Sequence, residues 1–374
     1  MLDATTPHSA PQSPRRRRSI ITSILLFAVL LTVPSVSAQN TRSAPETATG
    51  VAAKLLAVAK QHMVSAANPY AAEAGLEVLR AGGSAVDAAI AVQLVLNLVE
   101  PQSSGIGGGA FLLHWDAATS SLKAYDGREP APASAGPDRF LVDGKPMPFI
   151  KAARSGLSVG VPGLVRLLAT VHRTHGRLPW EQLFEPAIHL AENGFDVSPR
   201  LHFMLRWQGA ESFVSAARHY FFTRTGNAWP IGHVLKNPEF AATLRRIAAE
   251  GADGFYQGPT AAAIVDAVTD APSAPGGRAL HDLENYEIKE REPLCITYRE
   301  RTICSIGSPS SGGTTVAQTL KLLEPFDLGQ GPDAAMTTRA LHLISEAEKL
   351  AFADRNRYIA DPAFVDIPHG LLDP

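Results

Sequence analysis

The chain has 374 residues, 45 % hydrophobic and 19 % charged. That balance supports a sizeable buried core and excludes a disordered chain. The formal net charge is −2, without the basic excess or basic face of a nucleic-acid binder.

Residues 1–38 read as a secretory signal peptide. Arg15 to Arg18 form a basic block, Ile20 to Val33 an apolar stretch ended by Pro34, and Val36-Ser37-Ala38 places small residues at a cleavage site. The stretch is short for a spanning helix, which needs about 20 residues. Arg17-Arg18 would also suit a twin-arginine route; the flanking residues leave that open. No later segment is apolar and long enough to cross a bilayer. The expectation is a periplasmic or secreted protein with no membrane contact after cleavage. Residues 39–60 form a polar, flexible lead-in, and the folded region spans 61–374.

Asn68-Pro69 opens a helix, because Asn caps and Pro suits the first helical position. It runs to about Arg80 and stops at Gly82-Gly83. Ser84 with Asp87 begins a second helix with a capping box. That helix, Ala85 to Val99, is apolar on nearly every face and therefore buried all round. Gly105-Ile106-Gly107-Gly108-Gly109 follows, then a strand from Ala110 to Trp115, a turn over Asp116 to Ser120 and a returning strand from Leu122 to Tyr125. The glycine run loosely fits a dinucleotide loop, but there a strand precedes and a helix follows. The order here is reversed. Close backbone packing, or close approach to a ligand, is the better account.

The middle, 161–264, reads as mostly helical, and Asp282 to Ile306 as β. Within it, a two-residue turn at Arg299-Glu300 would place Cys295 opposite Cys304. A disulfide there suits an oxidising compartment. Arg-Glu is a poor tight turn, however, which favours two buried thiols. Ser310-Ser311-Gly312-Gly313 starts a helix to Leu323, and a last helix runs from about Thr337 to Tyr358. On it His342 and Glu346 share a face, but no second histidine stands at ligand spacing, so a salt-bridged face is expected and no metal. The pattern implies α+β layers in one unit.

Arg128 is the candidate binding residue. It lies just past a strand end, in Asp126-Gly127-Arg128-Glu129-Pro130. A guanidinium there can grip a carboxylate with two parallel hydrogen bonds. The alternative is a surface arginine paired with Glu129 or Asp126, and position alone favours it. None of Ser310, Ser311, Thr314, Thr315, Thr337 or Thr338 lies in a nucleophile elbow or beside a base. A threonine becomes a good nucleophile when its own α-amine is free to take the proton.

Several segments together resemble the γ-glutamyltransferase (γ-glutamyltranspeptidase) family, in the family's order. They are Met63 to Ala66 with Asn68-Pro69, Ala81 to Ala91, Gly105 to Phe111, Asp126 to Glu129 with Ala131-Pro132, Ser155 to Gly163, Phe255-Tyr256, Asp282-Leu283 with Tyr286, Ser310 to Gly313, and Glu346 to Lys349 through Arg355. The resemblance implies an N-terminal-nucleophile hydrolase, an αββα sandwich of which only the large-subunit part is present. It implies a precursor that cuts itself, a small subunit as partner, and no cofactor. The small subunit's N-terminal threonine would attack the γ-glutamyl amide of glutathione or a relative, and the acyl group would pass to water or an amino acid. Arg128 falls where the family binds the substrate's α-carboxylate. The four-glycine run of the family is Gly-Gly-Gly-Ala here, and Gly307-Ser308-Pro309 stands where prolines often precede Ser-Ser-Gly-Gly. The catalytic threonine would lie beyond Pro374, so these residues alone are expected to be inactive and to leave sheet edges and apolar surface uncovered. A cephalosporin-acylase-like hydrolase, or a non-catalytic exported protein with the same fold, are the competing expectations.

Overall fold

Asn68 Oδ1 accepts the Tyr70 N–H at 3.1 Å and opens α1 (Pro69–Arg80). The helix stops where Gly82 adopts φ +91°. At the start of α2 (Ala85–Val99), Ser84 Oγ accepts the Asp87 N–H at 3.1 Å and the Ser84 N–H donates to Asp87 Oδ2 at 2.8 Å. This is the reciprocal box expected from the sequence. Asp87 is fully buried. Its Oδ2 also accepts the N–H groups of Arg177 (2.9 Å) and Leu178 (3.2 Å), hydrogen bonds that offset the cost of burying a carboxylate. They tie the start of α2 to the chain beyond α3 (Leu164–His175).

These elements belong to a computed structural model that describes residues 56–331 and 333–373. The expected signal peptide, and the lead-in as far as residue 55, lie outside the described residues. From Ala57 onward the chain is one contact unit. Its core runs through α2, where Val86, Ile90, Leu94, Val95 and Leu98 are buried and pack against α1, α3 and α4 (Glu185–Asn193). Burying each such side chain contributes about 1.5–3 kcal/mol, which is why a helix without a polar face is stable only here.

β1 (Ala110–Asp116) and β2 (Ser121–Gly127) form a hairpin, in register from Ala110↔Gly127 to Asp116↔Ser121. β2 also pairs antiparallel with β3 (Lys289–Arg291), so β2 is central and β1 an edge. Alternation along β1 turns Leu112 and His114 to one face and Phe111, Leu113 and Trp115 to the other. α3 covers the first face. On the second, Leu113 is 40 % and Trp115 58 % exposed.

α5 (Pro238–Glu250) and α6 (Gly258–Thr269) complete the helical middle. The stretch read as β from Asp282 needs correction. It begins with a helical turn, Leu280–Glu284, because Asp282 Oδ2 accepts the Ala279 N–H at 2.9 Å and caps it; strand starts only at β3. Next, β4 (Leu294–Tyr298) and β5 (Arg301–Ser305) form a separate hairpin. Cys295 opposes Cys304 as the turn count required, and the two are bridged. The preference for free thiols is overturned. Arg299 and Glu300 both take positive φ (46° and 66°), the geometry of a tight hairpin that usually recruits Asn or Gly.

α7 (Gly312–Leu323) and α8 (Thr338–Tyr358) pack together at the end. On α8, Glu346 accepts from Lys349 Nζ at 2.5 Å, the salt-bridged face expected. Among the described residues no group of three or more His, Cys, Asp or Glu is gathered for a metal. The α+β reading agrees with this layout.

Candidate substrate-binding site

Arg128 follows directly on β2 and stands on the wall of a cleft of about 770 Å³. Asp126, Glu129, Ala131, Tyr286 and Phe364 line the same cleft. The backbone at Arg128 is held on both sides. Its N–H donates to Asp126 Oδ1 at 2.9 Å, and its carbonyl accepts from the Tyr286 hydroxyl at 3.0 Å. Asp126 is buried and its other oxygen takes Arg291 Nε at 2.6 Å. Arg291 lies on β3, the strand paired with β2, so sheet register brings the ion pair together.

The Arg128 side chain is freer than its backbone. It is 59 % exposed, with Nε 3.7 Å from Glu129 Oε2 and Cζ 5.9 Å from the centre of the Phe111 ring. Both sequence readings are therefore visible in the geometry. A loose pair with Glu129 exists, whereas Asp126 is committed to Arg291 and to the Arg128 N–H. A guanidinium with most of its donors facing a cleft can take a carboxylate in a forked pair.

Glycines set the depth of this region. A Cβ at Gly109 would come within 2.5 Å of Gly127 O and 2.7 Å of Glu129 Oε2. Gly108 O accepts the N–H groups of Gly163 (2.9 Å) and Leu164 (3.1 Å), joining the loop to the start of α3. Gly105 and Gly107 have nothing within 4 Å of a built Cβ, so close packing applies to the end of the run and not to its beginning.

Behind the cleft, Tyr286 stacks on Tyr256 at 6.0 Å between ring centres. Burial drives the Tyr286 hydroxyl well above its ordinary range, with Tyr256, Asp126 and Glu129 adding to it, so it remains a neutral donor to Arg128 O. Tyr256 is fully buried; its hydroxyl donates to Pro162 O at 2.8 Å and accepts the Arg166 N–H at 3.2 Å. Arg278, also buried, donates through Nη2 to Val159 O at 2.9 Å and to Gly160 O. Burial lowers its pKa, opposed by Asp282.

A γ-glutamyltranspeptidase family profile matches residues 71–374. The chain belongs to the γ-glutamyltranspeptidase family. It is 38 % identical over 323 residues to a glutathione hydrolase proenzyme of Bacillus subtilis (strain 168), covering 86 % of this chain and 54 % of the relative. The crystal structure of Helicobacter pylori γ-glutamyltranspeptidase is similar with a TM-score of 0.79 and 34 % identity, over 85 % of this chain and 90 % of that one. Cephalosporin acylase from Bacillus halodurans is similar with a TM-score of 0.73 and 28 % identity, over 88 % and 61 %. The fold is the α+β class of these N-terminal-nucleophile hydrolases. The chain spans about half the length of the curated relatives it matches.

Arg128 is the one site residue read from the sequence of this member of the γ-glutamyltranspeptidase family, and it lies in the cleft. Thr314 and Thr315, set aside as nucleophiles, are buried at the start of α7, where Thr315 Oγ1 donates to Ser311 O at 2.8 Å. Sequence reasoning assigned no role to Tyr286, Arg291, Arg278 or Gly163. Tyr286 and Gly163 fall within family-matching segments, which was the available signal; Arg291 and Arg278 carried none.

Proposed function

We propose that this chain supplies the carboxylate-binding part of an enzyme that transfers or hydrolyses γ-glutamyl groups of glutathione and related amides. Arg128 would take the α-carboxylate of the γ-glutamyl group. The observation that carries this is a guanidinium exposed to a cleft while its backbone is fixed through Asp126 and Tyr286. The attacking hydroxyl would be the N-terminal threonine of a small subunit released by autoproteolysis from the same precursor. These 374 residues alone would then be inactive. Export to the periplasm or outside the cell belongs to the same reading, supported by the leader pattern of residues 1–38.

The test uses the complete protein and γ-glutamyl-p-nitroanilide. Arg128→Lys keeps the charge and loses the fork. A hydrogen bond to a charged group contributes about 1.5–3 kcal/mol, so KM should rise by one to two orders of magnitude with the fold unchanged. An unchanged KM removes Arg128 from the site. Efficient turnover of a cephalosporin side-chain amide in place of the γ-glutamyl compound would favour the acylase reading. Inactivity of the complete wild-type protein on both would favour a non-catalytic one.

A further inference from the structure

The β4–β5 hairpin pairs with no other strand among the described residues. A lone two-stranded hairpin is marginal in water. This one also turns through Arg299 and Glu300 at positive φ, where residues with a Cβ are strained. Its two faces differ. Leu294, Ile296 and Ile303 are half-buried on the side toward α7, whereas Cys295, Thr297 and Thr302 are exposed. The Cys295–Cys304 bridge therefore lies on the exposed face, within reach of small solutes.

What the bridge holds also matters. At the turn, the Arg299 N–H donates to Glu324 Oε1 at 3.3 Å and Arg299 Nη2 to Phe326 O at 2.9 Å. After β5 the chain continues through Ile306 and Gly307 to Pro309, which lines the Arg128 cleft. Covalent closure of the hairpin and the position of one cleft wall are thus five residues apart along the chain, from Cys304 to Pro309.

We propose that Cys295–Cys304 is a reversible exchange site for a low-molecular-weight thiol, attacked at Cys295, and that its opening frees the hairpin leading to Pro309. The thiolate attacks Cys295 Sγ and the Cys295–Cys304 bond breaks. Cys295 now carries the mixed disulfide, and Cys304 leaves as a thiolate that takes a proton from water. A second thiolate attacks the sulfur of the bound thiol, forming its symmetrical disulfide and releasing Cys295 as a thiolate that is protonated in turn. Two thiols are oxidised while one protein disulfide is reduced. Attack depends on access and on the thiolate, and Cys295 is the more exposed partner. The step stands apart from any role of Arg128.

The complete, folded protein is incubated with 2-mercaptoethanol, a thiol with no γ-glutamyl amide to cleave, quenched with iodoacetamide and mapped by peptide mass. The expected result is the mercaptoethanol mixed disulfide on Cys295 and carbamidomethyl on Cys304. Trypsin cleavage after Arg299 and Arg301 should accelerate about tenfold, since cleavage follows the open population. The Cys295→Ser/Cys304→Ser variant should show the fast cleavage with or without the thiol. A bridge that resists 2-mercaptoethanol until the protein is unfolded overturns the proposal. So does an adduct found on Cys304, or cleavage unchanged by reduction and by the double substitution.

Discussion

Arg291 Nε meets Asp126 Oδ2 at 2.6 Å, and the opposite oxygen of that carboxylate accepts the backbone N–H of Arg128. An ion pair between two strands thereby fixes the residue that faces the cleft. Arg291→Met would strand a carboxylate that is 5 % exposed. Losing one partner of a buried pair costs about 3–5 kcal/mol. The Arg291 side chain is 19 % exposed, so the lower end is expected, read as a fall in the urea midpoint. Asp126→Asn combined with Arg291→Met should recover part of the loss; a double substitution as unstable as the single one would show that the stranded charge is not the cause.

Tyr286→Phe removes one hydrogen bond, to Arg128 O, and leaves the stack on Tyr256. A buried neutral bond contributes about 1 kcal/mol. The expected outcome in the complete protein is a modest stability loss and a raised KM for a γ-glutamyl substrate, with kcat little changed. A lowered kcat with KM intact would place Tyr286 in a different role.

Gly163→Ala drives a Cβ into Gly127 O and the Tyr286 hydroxyl. Neither can retreat cheaply, because one is backbone and the other is bonded to Arg128. Overpacking of this kind costs about 1–3 kcal/mol. Gly105→Ala, in open space, should stay within about 0.5 kcal/mol of wild type. Thermal unfolding of the two variants checks the contrast, and equal losses would contradict it.

His175 stacks on His114 at 4.0 Å between ring centres, and Tyr125 Oη lies 2.7 Å from its Nε2. Burial first, then the neighbouring His114 and Lys123, pull its pKa below the ordinary 6.5, against Asp116 and Glu290. The folded state therefore binds its proton less readily than the unfolded chain. This contribution to stability is complete above pH 6.5 and is lost as pH falls through the lower folded value. Unfolding temperature should drop between pH 7 and pH 5, and less so in His175→Gln. An equal drop in both proteins would exclude His175 as the source.

Local signals were legible where they act over a few residues. Asn68, the Ser84–Asp87 box, the buried α2, the β1–β2 hairpin and the Cys295–Cys304 register all follow from side chains within one or two turns of each other. The disulfide itself was not, because a preference against Arg-Glu turns carries only part of the energy of a hairpin that a covalent bond closes. The glycine run shows the same limit. Sequence marks Gly105 to Gly109 alike, yet only the three-dimensional path brings Gly109 against Gly127 O.

By itself the sequence determined the run from α1 to the β1–β2 hairpin and the helix that must be buried, and it offered Arg128 as the candidate to hold a carboxylate. Tertiary structure alone decided what holds Arg128: Tyr286 and Arg291 stand 158 and 163 positions away along the chain. The reason is physical. Caps and hairpin register are settled by neighbours in sequence, whereas burying Asp126 and Tyr286 requires partners that only the pairing of β2 with β3 delivers.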